Sequence, residues 1–140
     1  MTDIDRAKRA LEKGHTLVLC KGGEVMTSDL SGIAPMLAFI GEGKDLRGWS
    51  AADAIVGKAA ALLFVYAGIA EAYAKVLSEE GEKVLKTHGV PYACGEKTRH
   101  IINRRGDGIC PMEKAVLNVS DPAEALVVLR RTHAALCGKA

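Results

Sequence analysis

The most restrictive feature of this sequence is an apolar run of twelve residues, Ala59 to Ala70, near the middle of the chain. With the residues before it, the stretch AIVGKAAALLFVYAG predicts a helix that is apolar on almost every side, with Asp53 as its N-cap and Gly68 as its C-cap. A helix of this kind is covered by other elements on every side. The run is too short to span a bilayer, which takes about 20 apolar residues. We therefore expect a buried central helix and no membrane partner.

The sequence around this helix predicts strands that alternate with further helices. A first helix lies in MTDIDRAKRALEKG, and a hairpin with a Gly-Gly turn lies in HTLVLCKGGEVMTS. The other predicted elements are a helix in SGIAPMLAFIGEG, strands in LRGWSAAD, AYAKVLS and VPYACGE, helices in EEGEKVLKTHG and around 112–117, and a last helix with Asp121 as cap and Pro122 at its first position. This order indicates an α/β fold, with a mixed sheet and helices on both faces. No linker or repeat divides residues 1–140, so we expect a single domain.

The overall charge and the cysteines limit the classes of function that the chain can have. The 140 residues carry 19 basic and 17 acidic side chains, a formal charge of +2, and only 4% are aromatic. Neither a basic stripe nor a set of base-stacking side chains is indicated, so no nucleic-acid partner is expected. The N-terminus lacks the apolar core of a signal peptide, and the four cysteines form no C-x-x-C pair. We predict a cytoplasmic protein with reduced thiols.

Lys58 is the first candidate site residue, about one turn into the predicted central helix. It is the only charged side chain between Asp53 and Glu71, and a lysine near a helix N-terminus is unfavourable unless something offsets it. One hypothesis is a salt bridge to Asp53, or a side chain that reaches solvent. The other is that Lys58 and the helix amides together hold a phosphate or carboxylate. A P-loop is excluded, because Ala59 follows where Ser or Thr is needed.

Ser78 and Glu79 stand where a strand gives way to a helix. The simpler hypothesis is that Ser78 caps the helix and that the glutamates after it favour its positive end. The alternative is that Glu79 is a catalytic carboxylate, which would need a partner that the sequence does not identify.

The segment NRRGDGICPMEKAV, residues 103–116, is dense in unusual chemistry. Arg104 and Arg105 could clamp a phosphate, and the Gly-Asp-Gly around Asp107 predicts a tight turn, with φ positive at a glycine. Cys110 precedes a helix that starts with proline, a position where a thiol can become reactive. The alternative is that Cys110 is a small, buried residue beside the cap.

Metal ligands are not indicated by the spacing of the four histidines and four cysteines. The sequence contains no H-x-E, C-x-x-C or H-x₃₋₅-H arrangement. We expect no metal ion and no cofactor.

Three long blocks of this sequence resemble a small prokaryotic family known only as a domain of unknown function, DUF1893. The blocks are DAIVGKAAALLFVYAGI, YAKVLSEEGEKVLKTHG and INRRGDGICPMEKAVL, which cover roughly half of the chain. The resemblance implies a cytidine-deaminase-like fold, a three-layer α/β/α sandwich whose mixed sheet would include the N-terminal hairpin.

Active members of that fold bind zinc through His-x-Glu at one helix and Pro-Cys-x-x-Cys at the next. On this resemblance Ala51 falls at the zinc histidine and Asp53 at the glutamate, while Gly81 and Val84 fall at the two cysteines. No ligand set results, so zinc-dependent deamination is not expected.

The leading hypothesis is a metal-free protein that binds a nucleotide-like or other phosphorylated small molecule where the resemblance would put zinc. The ligand-binding residues would be Asp53, Lys58, Ser78, Glu79, Asn103, Arg104, Asp107 and Cys110. One alternative is an enzyme that uses Cys110, or the carboxylates of Asp53 and Glu79, without zinc. Another is a homo-oligomeric interaction scaffold whose apolar central helix faces a partner subunit.

Overall fold

The computed structural model describes residues 1–102, 106 and 108–137. In this part of the chain five strands and six helices follow one another. The strands are β1 (Leu17–Lys21), β2 (Glu24–Ser28), β3 (Ser50–Val56), β4 (Glu71–Ser78) and β5 (Tyr92–Thr98). The helices are α1 (Asp3–Leu11), α2 (Ala34–Gly41), α3 (Lys58–Ala67), α4 (Glu79–Thr87), α5 (Pro111–Ala115) and α6 (Pro122–Cys137). No helix in these ranges is long and apolar enough to cross a membrane.

The five strands form one mixed sheet in the order β2-β1-β3-β4-β5. β1 is antiparallel to both β2 and β3, whereas β3, β4 and β5 are parallel to one another. The hairpin turns at Gly22 and Gly23, whose φ angles of 56° and 92° suit glycine and few other residues. The parallel strands are joined through α3 and α4. The predicted mixed sheet with an N-terminal hairpin is confirmed.

Helices cover both faces of the sheet, but unequally. Side chains alternate along β1, so that Leu17 and Leu19 face one side, and Val18 and Cys20 face the other. On the second side α1 packs over a small apolar cluster. On the first side α2, α3, α4, α5 and α6 enclose the main core, and α3 lies at its centre with most of its residues buried. The expected three-layer α/β/α sandwich is confirmed, and its central helix is covered within the chain.

The boundary between β3 and α3 corrects the sequence prediction. Residues 54–56 were expected to be helical, with Asp53 as the N-cap, but they belong to β3, which pairs with β4. The N-cap of α3 is Gly57, and Lys58 is the first residue of the helix rather than one turn inside it. A short, fully buried strand and a buried helix have the same continuous apolar pattern, and periodicity alone does not separate them. Gly68 is the left-handed C-cap, as predicted.

Asp53 is therefore a buried strand residue. Its side chain is 6% exposed and alternates to the same side of the sheet as Ala51, towards the main core. One carboxyl oxygen accepts a hydrogen bond from the backbone N–H of Ile55 at 3.3 Å. Burial raises the pKa of Asp53 to about 8, and the backbone hydrogen bonds from Ile55 and Ala54 only partly oppose it.

The raised pKa of Asp53 predicts how the free energy of unfolding depends on pH. The carboxyl of Asp53 has a pKa near 3.8 in the unfolded chain, so the folded chain holds this proton more tightly. The stability that this proton contributes is therefore complete below pH 3.8 and is lost as the pH rises through about 8. The contribution falls by up to about 1.4 kcal/mol per pH unit within this window. We expect Asp53→Asn to flatten the dependence and to exceed the wild type in unfolding free energy at pH 8. Urea unfolding from pH 5 to pH 9 measures both.

The exposed Glu42 provides the control, since Glu42→Gln removes a carboxylate without removing a buried one. Equal slopes for the wild type and Asp53→Asn would contradict the prediction.

Candidate functional site

The N-terminus of α3 is capped by a carboxylate from a distant part of the chain. Glu113, in the short helix α5, accepts the backbone N–H of Lys58 on Oε1 and that of Ala59 on Oε2, both at 2.8 Å. Its side chain is 9% exposed. Burial raises the pKa of the Glu113 carboxyl, while the two N–H groups and the charge of Lys58 act in the opposite direction. The carboxylate supplies the acceptors that Gly57, as N-cap, cannot.

Two glycines make room for this arrangement. A Cβ on Gly57 would collide with the Glu113 carboxylate. A Cβ on Gly81, in the first turn of α4, would lie 3.0 Å from the carbonyl oxygen of Gly57 and 3.1 Å from that of Val56. The N-termini of α3 and α4 are thus held against each other at the carboxyl ends of β3 and β4.

Lys58 is anchored by its own side chain as well as by its backbone. Its Nζ donates a hydrogen bond to the carbonyl oxygen of Leu117 at 2.9 Å, just beyond α5. The N–H groups that the sequence hypothesis assigned to an external anion have Glu113 as their partner instead. Lys58 and Glu113 together fasten α5 to the start of α3.

Ser78 has the capping role that the sequence predicted. It is buried, and its Oγ accepts the backbone N–H of Gly81 at 3.0 Å. Glu79, Glu80 and Glu82 occupy the first turn of α4, where they favour the positive end of the helix dipole.

A cavity of about 110 Å³ opens between these elements. Its lining combines charged, polar and apolar side chains from α3, α4, α5 and the segment after β5: Lys58, Ser78, Glu80, Arg99, His100, Ile101, Ile109, Glu113 and Leu117. It lies at the carboxyl ends of the parallel strands, which is where open α/β sheets bind their ligands. We take this cavity as the candidate site.

Only some of the residues predicted from the sequence meet in the cavity. Lys58 and Ser78 line it together. Asp53 lies in the main core and does not line it, and Glu79 is exposed beside it. The predicted Asn103, Arg104, Arg105 and Asp107 lie outside the described residues. Gly106 has a φ of 75°, in line with the predicted turn.

Cys110 stands at the N-cap of α5, as predicted. Its backbone N–H donates to the carbonyl oxygen of Ile101 at 2.9 Å, and its side chain is half-buried. It is not among the described residues that line the cavity. Its reactivity stays a prediction.

The sequence hypothesis missed four charged or polar residues of the cavity: Glu80, Arg99, His100 and Glu113. Glu80 was interpreted only as a partner of the helix dipole. Glu113 stood inside the segment singled out for its chemistry, but its contacts are 54 and 55 positions away in the sequence. No local signal marks such a long-range cap.

A second hollow, of about 370 Å³, is larger but carries less chemistry. The residues that line it are Met1, three residues of α1 (Asp5, Lys8 and Arg9) and Glu12, the C-cap of that helix. A hollow bounded by one side of one helix leaves a ligand open to solvent. The smaller cavity has walls from several elements and is the better candidate.

Zinc ligands do not gather at the two helix starts. The resemblance was aligned with Ala51 and Asp53 at the first helix, but both are in β3, and α3 opens with Lys58 and Ala59. The N–H groups at that opening are already bound by Glu113. Within the part of the chain that the structure describes, no three His, Cys, Asp or Glu side chains are placed to share a metal ion. These residues do not fit the zinc site of the fold.

Comparison with known proteins gives one close likeness. Residues 6–132 match the sequence profile of a family described as TM1506, a domain of unknown function (DUF1893). The crystal structure of a DUF1893 family protein (TM1506) from Thermotoga maritima is 26% identical, with a TM-score of 0.84, and the match covers 94% of this chain and 90% of that one. No protein of curated function matches the chain.

Two deaminases resemble the chain more distantly. One is a diaminohydroxyphosphoribosylaminopyrimidine deaminase/5-amino-6-(5-phosphoribosylamino)uracil reductase from Thermotoga maritima, 16% identical over 66% of this chain and 35% of that one, with a TM-score of 0.46. The other is a dCMP deaminase from the cyanophage S-TIM5, 13% identical over 69% of this chain and 94% of that one, with a TM-score of 0.45. Likenesses this distant carry no argument about the site.

The cap from Glu113 can be tested by its removal. Glu113→Ala leaves two N–H groups of α3 without their acceptor, and we expect the free energy of unfolding to fall by about 2 kcal/mol. Glu113→Gln should lose nearly as much, because its amide group turns a donor towards one of the two donors of α3. Denaturant unfolding measures both losses.

Lys114→Ala is the matched control, since Lys114 is exposed on the same helix. A Glu113→Ala protein as stable as Lys114→Ala would show that the cap does not stabilise the fold.

Proposed function

The chain belongs to the DUF1893 family of unknown function, and from the geometry of its cavity we propose that it binds a small phosphorylated molecule, such as a nucleotide-like compound, without a metal ion. The observation that carries the proposal is the meeting of Arg99, His100 and Lys58 in one cavity at the carboxyl ends of the parallel strands. These residues come from α3 and from the segment after β5, so the fold, and not one local motif, assembles them.

Arg99 is the side chain best suited to hold the phosphate. A guanidinium presents a planar fork of N–H donors that matches two phosphate oxygens at once. The Nζ of Lys58 uses one of its three N–H donors on the Leu117 carbonyl oxygen, so Lys58 can offer a phosphate its charge and its remaining donors. His100 also lines the cavity, and an imidazole ring N–H is a further donor suited to the same anion.

The size of the cavity limits which part of a ligand enters it. Pockets that enclose a whole drug-sized molecule hold roughly 300 Å³ or more, whereas this cavity holds about 110 Å³. A nucleotide-like ligand would place its phosphate inside and the rest of the molecule at the mouth. The predicted ligand residues Asn103, Arg104 and Asp107 lie outside the described residues, and their part in binding stays a prediction.

The other expectations from the sequence stay predictions. They are a cytoplasmic location and the assembly of a homo-oligomer.

Substitution of Arg99 tests the proposal. We expect Arg99→Gln to weaken the binding of inorganic phosphate and of nucleoside monophosphates about tenfold, because one charge-assisted pair of hydrogen bonds is lost. Isothermal titration calorimetry at low salt measures the affinities. Arg99 is a cleaner target than Lys58, whose removal also breaks the bond to Leu117.

Arg9→Gln is the matched control, because Arg9 is exposed on α1, across the sheet. The proposal fails if no phosphate compound binds the wild type, or if Arg99→Gln binds as tightly as Arg9→Gln.

A further inference from the structure

The cavity carries charges of both signs. Lys58 and Arg99 are positive, whereas Glu80 and Glu113 are negative. A site for a bare phosphate would be expected to present donors and positive charge alone, because a carboxylate near the bound anion repels it. The two carboxylates therefore need an explanation that the proposed phosphate site does not supply.

The carboxylates differ in what they already bind. Both oxygens of Glu113 accept N–H groups of α3, and its side chain is almost fully buried. Its presence in the lining follows from its role as a cap. The helix N-terminus and the charge of Lys58 favour its charged form, whereas burial and the charge of Glu80 oppose it and raise its pKa.

Glu80 has no comparable structural role. Among the described residues its hydrogen-bonding contact is with Lys83 Nζ, at 3.3 Å from Oε1, and its side chain is 45% exposed. All three glutamates in the first turn of α4 interact favourably with the helix dipole, so the dipole does not explain why Glu80 in particular lines the cavity and Glu79 does not. The position of Glu80 thus puts a weakly paired carboxylate in the wall of a site that also holds Arg99.

We infer that the ligand carries an ammonium or similar cationic group beside its phosphate, and that Glu80 binds this group while Arg99 binds the phosphate. This inference rests on the proposed function and names its ligand class, an amino-phosphate. The arrangement discriminates by charge: a cation on the ligand turns the repulsion from Glu80 into an attraction.

A pair of small probes separates the two charges. Ethyl phosphate and O-phosphorylethanolamine share the phosphate and the two-carbon chain, and only the second carries an ammonium. We expect O-phosphorylethanolamine to bind the wild-type protein at least about threefold more tightly in calorimetry at low salt, the size of a half-exposed ion pair.

Glu80→Gln should change the two affinities in opposite directions. Ethyl phosphate should bind more tightly, because repulsion is removed, and O-phosphorylethanolamine more weakly, because the ion pair is lost. A loss of folding would move both affinities the same way. Glu42→Gln, at an exposed position outside the cavity lining, should leave both affinities at the wild-type level.

The outcomes distinguish this inference from the proposed function. Equal binding of the two probes by the wild type, or an unchanged preference in Glu80→Gln, overturns the inference and leaves the phosphate site standing. If neither probe binds and inorganic phosphate does not bind either, the proposed function itself fails.

Discussion

The contact on which the rest of the site depends is the carboxylate of Glu113 at the start of α3. A buried helix must have its first N–H groups satisfied, since an unpaired polar group in the core costs more than a hydrogen bond contributes. Gly57 has no side chain to do this, and the acceptor comes from another helix 55 positions away. That carboxylate joins the central helix to α5, a helix of five residues that could not be stable alone.

This cap also decides where a ligand's charge can be held. An α/β sheet of this kind offers the N-termini of its crossover helices to anions, and here the amides of Lys58 and Ala59 are already used. The side chains that line the cavity offer further donors, above all the guanidinium of Arg99. In the proposed function, recognition therefore depends mainly on side chains that can be exchanged singly, while the first amides of α3 serve the fold.

Much of the architecture could be predicted from the sequence, because most boundaries are marked locally. Four boundaries lie where these residue types predict them: the Gly-Gly turn, the cap at Ser78, the Asp121-Pro122 helix start and the Gly68 helix end. The prediction was wrong at residues 53–56, which lie in β3, where Asp53 and Val56 are buried and Ile55 is exposed. There the apolar pattern has no period, so it fits a strand and a helix equally.

The site was less predictable than the fold for a physical reason. Ser78 and Lys58 were found because they stand beside helix starts, which have local signatures. Glu113, Arg99 and His100 reach the cavity only through the packing of α5 and the end of β5 against α3 and α4. Asp53 illustrates the converse: a carboxylate predicted to cap the central helix is enclosed in the core.

The two faces of the sheet are covered unequally, and the helices on them are packed in different ways. In the main core, five helices pack against one another as well as against the strands. The opposite face depends on α1, whose nine residues bury Ala7 and Leu11 against a cluster of a few side chains. This helix packs on the strands β1, β3 and β4, and its packing does not depend on the helices of the main core. The candidate cavity is lined from α3, α4, α5 and the segment after β5, so α1 secures the sheet without taking part in the proposed recognition chemistry.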